Sequence, residues 1–242
     1  MRNNKRETIF RFKQFSLSNS DSAMKVSTDG VLLGAWCPPV NGHVWDVGAG
    51  TGLIALMLAQ RGAQGVSAVE IAPLAAKEAM KNVSASPWPD RINTICGDIC
   101  DVCGTLPRPD LIVSNPPYFV SSLKPADGAR SLARHEGSLT YDSLIAIASH
   151  YLTDEGRLCV VSPADRRADI EWSAALHRLY VHRMAAVSTI EGKDPTRMLW
   201  EFGRTPAKLL EDSLAIRREA GDKSGEYTEE YMDLTRDFYL NF

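Results

Sequence analysis

Two short stretches of this chain carry residue types that can do chemistry. The first is Asn115-Pro116-Pro117-Tyr118-Phe119, which sets a carboxamide, two prolines and two aromatic rings side by side. That set suits methyl transfer to a planar nitrogen. An exocyclic amino or amide nitrogen has a delocalised lone pair and attacks a sulfonium methyl poorly. Acceptors at the Asn115 side-chain oxygen and the Pro116 carbonyl would pull its two N–H bonds, favour a tetrahedral nitrogen and free the lone pair. The prolines fix φ and lack N–H groups, so the carbonyl is held in place with few local competitors. Tyr118 and Phe119 offer a face for a flipped base, and such stacking contributes about 1–3 kcal/mol per base. Asn115 cannot take a proton, so no strong general base is expected in the motif and the surplus proton leaves to water. Two prolines also end a strand without any ligand, but that leaves the amide and the rings unexplained.

The second stretch is Asp46-Val47-Gly48-Ala49-Gly50-Thr51-Gly52, at the point where a strand gives way to a helix. Glycines let the backbone turn sharply and touch a ligand beside a helix N-terminus. A dinucleotide fingerprint places its third glycine three residues after the second, at position 53, where this chain has Leu53. Asp46 would repel a pyrophosphate and tolerate an ammonium or sulfonium. Glu70, 18 residues past Gly52, ends the next strand, where an acid can accept both ribose hydroxyls. Asp98 follows a third strand in Cys96-Gly97-Asp98-Ile99. It can accept from an adenine amino group, with Ile99 giving a backbone donor and an apolar wall. Asp98 also suits a helix N-cap, and the two roles are compatible.

These residues need a scaffold that brings successive strand ends to one edge. Short β-branched runs alternate with helical patterns, the signature of a parallel α/β sheet. Strands are predicted at His43–Val47, 66–71, 91–96, 110–114 and 157–162, with helices at 53–61, 73–85, Tyr141–Tyr151 and 164–179. The run at 110–114 is apolar enough for a central strand buried on both faces. Residues 181–190 and 197–204 flank Glu191-Gly192-Lys193-Asp194-Pro195 and predict an antiparallel hairpin at the sheet edge, making seven strands. Apolar residues at 227, 231, 234 and 238 predict an amphipathic helix over 227–240.

A glycine loop and three acids at successive strand ends resemble the nucleoside pocket of class I S-adenosylmethionine-dependent methyltransferases, over roughly residues 40–205. The resemblance implies an α/β, Rossmann-like fold and a cofactor site at Asp46, Gly48, Gly50, Gly52, Glu70, Asp98, Ile99 and Asn115. The Asn-Pro-Pro-Tyr motif is shared by adenine-N6, guanine-N2 and glutamine-N5 methyltransferases, so the flanks must choose the substrate. Phe10-Arg11-Phe12-Lys13-Gln14-Phe15, residues 23–36, Ser86-Pro87-Trp88 and the tail at 227–240 are similar to the bacterial tRNA1(Val) (adenine(37)-N6)-methyltransferase family. That resemblance implies S-adenosyl-L-methionine as cofactor, the anticodon stem-loop of a tRNA as partner, and Lys25, Thr28 and Asp29 over the methionine end of the cofactor. Thr28 and Asp29 suit ordinary helix capping equally well. A glutamine-N5 protein methyltransferase would carry a substantial helical domain before the loop, and only 45 residues precede Asp46. A guanine-N2 RNA enzyme tends to have Phe where this chain has Tyr118. A module that binds cofactor without catalysis has no need of an intact Asn115.

Composition sets the outer limits. With 242 residues, one domain with flanking segments is expected: a cap at 1–40, a core at 41–205 and a tail at 206–242. The net charge of −3 excludes a protein that coats nucleic acid non-specifically. By segment, residues 1–13 hold five bases and one acid, and residues 211–242 hold nine acids and four bases. Lys124, Arg130 and Arg134 join the basic N-terminal end as candidate phosphate contacts, each also readable as a solvated charge; His135 beside them reads as a satisfied or solvated histidine. An anticodon loop suits such a protein because its bases are unstacked and one is extruded at low cost. The longest apolar run, 53–59, is far short of the roughly 20 residues a membrane helix needs, which predicts a cytoplasmic protein. Five cysteines without zinc spacing predict neither a disulfide framework nor a metal site.

Overall fold

The computed structural model describes residues 9–19, 26–116, 139–219 and 226–242. The chain opens with a two-stranded antiparallel hairpin, β1 (Ile9–Arg11) and β2 (Ser16–Ser18), followed by α1 (Thr28–Trp36). Then come β3 (His43–Val47), α2 (Leu53–Gln60), β4 (Gly65–Glu70), α3 (Pro73–Ser84), β5 (Ile92–Cys96), the single turn α4 (Ile99–Val102), β6 (Leu111–Ser114) and α5 (Tyr141–Tyr151). The second half adds β7 (Arg157–Pro163), α6 (Arg167–Leu176), β8 (Tyr180–Ile190), β9 (Arg197–Gly203), β10 (Leu210–Arg217) and α7 (Glu229–Thr235).

The large sheet runs β10-β8-β9-β7-β6-β3-β4-β5, and β9 alone is antiparallel to its neighbours. The hairpin read from the sequence is therefore present as β8–β9. The sheet has eight strands rather than seven, because β10 pairs in parallel outside β8 and takes over the edge assigned to the hairpin. Predicted helices shorten where local signals stop them. Residues 164–166 form a 3-10 turn before α6, and α7 runs from a Thr228 cap only to Thr235, so the chain beyond leaves the helix.

Strand β6 is the centre that its apolar run predicts: Leu111, Ile112 and Val113 are completely buried. A truncation such as Ile112→Ala in such a position costs about 2–5 kcal/mol. The unbroken apolar run became α2, buried from Leu53 to Ala59 beneath α1. Because parallel strands point one way, the register aligns their carboxyl ends. Asp46 sits opposite both Ala68 of β4 and Val113 of β6, and Glu70 sits opposite Cys96.

Candidate active site at the carboxyl edge of the sheet

The loop after β3 turns through three glycines with positive φ, Gly48 (+73°), Gly50 (+56°) and Gly52 (+84°), a region that side chains disfavour. Gly48 and Ala49 donate their N–H groups to the Val69 carbonyl at 2.9 and 3.0 Å, which ties the loop to β4. A Cβ at Gly48 or Gly50 would meet nothing within 4 Å, so the space beside this backbone is open to a ligand.

Asp46 lies beneath the loop, only 1% exposed. Its Oδ2 accepts from the Ala55 N–H at 2.9 Å, in the first turn of α2, while Oδ1 is buried without a hydrogen-bond partner. Burial pushes this carboxyl up to about 7; the Ala55 bond opposes the rise and the Glu70 carboxylate adds to it. A buried carboxylate oxygen without a partner is costly, and protonation or a cationic partner relieves it.

Glu70 is 8% exposed and holds the loop from the next strand. Its Oε2 accepts from Gly50 N–H and its Oε1 from Ala72 N–H, both at 2.8 Å. Each carboxylate oxygen keeps a second lone pair for a hydroxyl. Asp98 is the N-cap of α4, accepting from Cys100 N–H at 2.9 Å, and Ile99 is buried beside it. The capping role read from the sequence is present.

Asn115 follows β6 at the same edge, and Ser114 pins that strand end by donating its hydroxyl to the Val47 carbonyl at 2.7 Å. Asn115 Nδ2 donates to Ser27 Oγ at 3.4 Å, and Ser27 also accepts from Gly30 N–H at 3.1 Å as the N-cap of α1. With nitrogen toward Ser27, the amide oxygen occupies the opposite corner. Ser27 was not singled out from the sequence. The cap is this serine before a helical run and not Thr28 or Asp29, to which the sequence assigns capping and which lie in the first turn of α1. Asp29 accepts from Arg197 Nε at 3.1 Å across the molecule. Pro116 is buried next to Asn115. Lys25, Tyr118, Phe119, Lys124, Arg130 and Arg134, together with Pro117 and His135, lie outside the described residues.

Hollows lined by described residues lie at both edges of the sheet. One of about 210 Å³ is lined by Thr28, Asp29, Arg197, Arg217 and Tyr227. A second, of about 370 Å³, is lined by Phe10, Ser27, Thr28, Tyr239 and Phe242. A third, of about 760 Å³, opens at His43, Gly65 and Ile92, where strands begin, on the edge opposite Asn115. Among the described residues there is no group of three or more His, Cys, Asp or Glu side chains placed to hold a metal, and no helix long and apolar enough to cross a membrane. All five cysteines are free thiols.

Residues 15–182 match the Methyltransferase small domain family. The tRNA1(Val) (adenine(37)-N6)-methyltransferase of Porphyromonas gingivalis is 44% identical, the match covering 96% of this chain and 94% of that protein. The protein of the same name from Phocaeicola vulgatus is 42% identical over 96% of this chain and 97% of its own length. Among solved structures, a predicted O-methyltransferase from Agrobacterium tumefaciens superposes with a TM-score of 0.68 at 20% identity, covering 87% of this chain and 96% of that one. At that identity the likeness concerns the fold.

Proposed function

The chain belongs to the tRNA1(Val) (adenine(37)-N6)-methyltransferase family, and on that premise we propose that it methylates N6 of adenine 37 in the anticodon loop of tRNA1(Val) from S-adenosyl-L-methionine. The observation that carries the chemistry is the carboxyl edge itself, with Asn115 beside a glycine loop that rests on a buried, half-partnered Asp46. The residues fit the cofactor. The unpartnered Asp46 Oδ1 suits its cationic methionine end, the space at Gly48 and Gly50 admits its body, Glu70 keeps lone pairs for the ribose hydroxyls, and Asp98 with Ile99 suits the adenine. When bound, the cofactor supplies an electrophilic methyl on sulfur.

The rest is done by the chain. Asn115 presents its oxygen to one N–H of the target amino group, and the Pro116 carbonyl accepts from the other. Both contacts strengthen as the nitrogen becomes tetrahedral, so they favour the transition state over the bound base. Ser27 holds the amide in that orientation, and Tyr118 and Phe119 stack the extruded base. Lys25, Thr28 and Asp29 close the methionine end, and Lys124, Arg130 and Arg134 take loop phosphates. Proximity supplies the remaining acceleration, with reacting atoms about 3–3.5 Å apart. The 1–40 and 206–242 segments complete a single catalytic unit that works where its tRNA is, in the cytoplasm.

The test uses labelled methyl donor with total tRNA from cells lacking the enzyme, followed by digestion to nucleosides. Label in N6-methyladenosine is the expected result. Label in N2-methylguanosine, or in a release-factor protein offered in parallel, would overturn the reading.

A further inference from the structure

The two hollows that share Thr28 have the chemistry of a single-stranded nucleotide site. Their combined lining holds the rings of Phe10, Tyr227, Tyr231, Tyr239 and Phe242 and three arginines, Arg11, Arg197 and Arg217, of which Arg197 pairs with the one acidic side chain, Asp29. The rings form a set frame. Tyr227 stacks on Tyr231 at 5.1 Å, the Arg217 guanidinium lies 4.4 Å over the Tyr227 ring, and Phe242 meets Tyr239 edge-on at 5.2 Å. Phe10 stands 36% exposed at the rim, 6.2 Å from Tyr239. Aromatic faces interleaved with guanidinium groups are what single-stranded nucleic acid binds, bases on rings and phosphates on cations. The cleft also starts at the reacting edge, since Ser27 lines it and touches Asn115 at 3.4 Å.

We propose that this cleft binds the nucleotide adjoining the methylated adenine in the same loop, its base against Phe10, Tyr239 and Phe242 and its phosphate toward Arg11 and Arg217. The proposal rests on the tRNA reading above. A nucleotide linked to an extruded base must leave the Asn115 edge within one backbone step, and the cleft is the space beside it. Capturing that neighbour holds the loop open and adds a contact that duplex RNA, with its bases stacked, cannot make.

The experiment measures kcat/KM of the full-length enzyme on three anticodon stem-loops: intact, abasic immediately 5′ of the target, and abasic immediately 3′. One abasic loop is expected to lose about tenfold with the wild-type enzyme, the size of one lost stack on an aromatic ring. Phe10→Ala should lose a similar factor on the intact loop and add less than about twofold on that abasic loop, because both changes remove the same contact. If Phe10→Ala has a lowered melting midpoint, Phe10→Leu, which keeps apolar bulk without the ring, takes its place. Equal rates on all three loops, or losses that multiply, overturn the proposal. An intact loop that the wild-type enzyme leaves unmethylated overturns the tRNA reading and this cleft with it.

Discussion

An amide at position 115 has no proton to take, so its effect must come from accepting hydrogen bonds and not from general-base catalysis. Asn115→Ala is therefore expected to lower kcat by about a hundredfold or more, as loss of an aimed transition-state contact does, while cofactor affinity stays within a few-fold. Titration calorimetry showing cofactor binding lost with turnover would show that Asn115 acts on the cofactor and not on the reacting nitrogen. Asp46 makes the opposite kind of prediction. Its folded pKa of about 7 lies above its ordinary value of 3.8, so in the ligand-free protein the fold favours the protonated form. That contribution to stability is fully present below about pH 4 and is lost as pH rises through 7. A cationic ligand reverses the preference, so cofactor affinity should climb between pH 6 and 8, by up to about tenfold per unit below 7. Asp46→Asn, which keeps an acceptor for Ala55, should flatten the climb. A wild-type affinity that does not change over this range removes Asp46 from the cofactor site.

At the scale of elements, the active edge depends on how closely α1 lies on α2. A Cβ at Gly34 would come within 2.8 Å of Met57 Sδ and 3.3 Å of its Cβ, and Met57 is fully buried. Gly34→Val therefore overpacks the contact and should cost about 1–3 kcal/mol, read as a melting midpoint lowered by several degrees. Since α1 also carries Ser27 to Asn115, kcat should fall more than cofactor affinity; an unchanged midpoint would show that the helices separate freely. The elements legible in the sequence are those that leave a local signal, an unbroken apolar run, a helical period or a cap. Strand β3 and helix α5 have the bounds their patterns predict, the latter fixed by a Thr140–Ser143 capping box. Strand β10 was not legible because Leu210-Glu211-Asp212-Ser213 lies exposed along a sheet edge, so no apolar period marks it and only pairing with β8 makes it a strand. The end of α7 escaped for a tertiary reason: beyond Thr235 the chain turns to bury Phe238 and to set Tyr239 and Phe242 in the aromatic cluster. The acids of the glycine loop were legible because a strand end fixes where they stand. Ser27 was not, because its role depends on a residue 88 positions away.

At the scale of the whole molecule, the two ends of opposite charge are joined. Lys13 Nζ donates to the Arg236 and Phe242 carbonyls at 2.6 and 2.8 Å, and its backbone N–H to Phe238 at 2.8 Å. The tail thus packs against the head at Lys13, whose charge is spent on backbone carbonyls, and Arg11 is the described head cation that faces the cleft. Binding should then depend on salt in a bounded way. Each phosphate neutralised on a single strand contributes about −0.7 to the slope of log affinity against log salt concentration, and about −0.9 on a duplex. Contacts to about five phosphates, as Arg11, Arg217, Lys124, Arg130 and Arg134 would make, predict an affinity for the anticodon stem-loop falling about 130- to 500-fold between 50 and 200 mM salt. A protein that coated RNA through its whole surface would fall by several orders of magnitude over the same range, and one that gripped the loop through stacking alone would not respond. Filter binding across that range separates the three cases. Only the intermediate slope agrees with a small basic region beside the Asn115 edge; a flat response would leave the rings of Phe10, Tyr239 and Phe242 to hold the loop without the arginines.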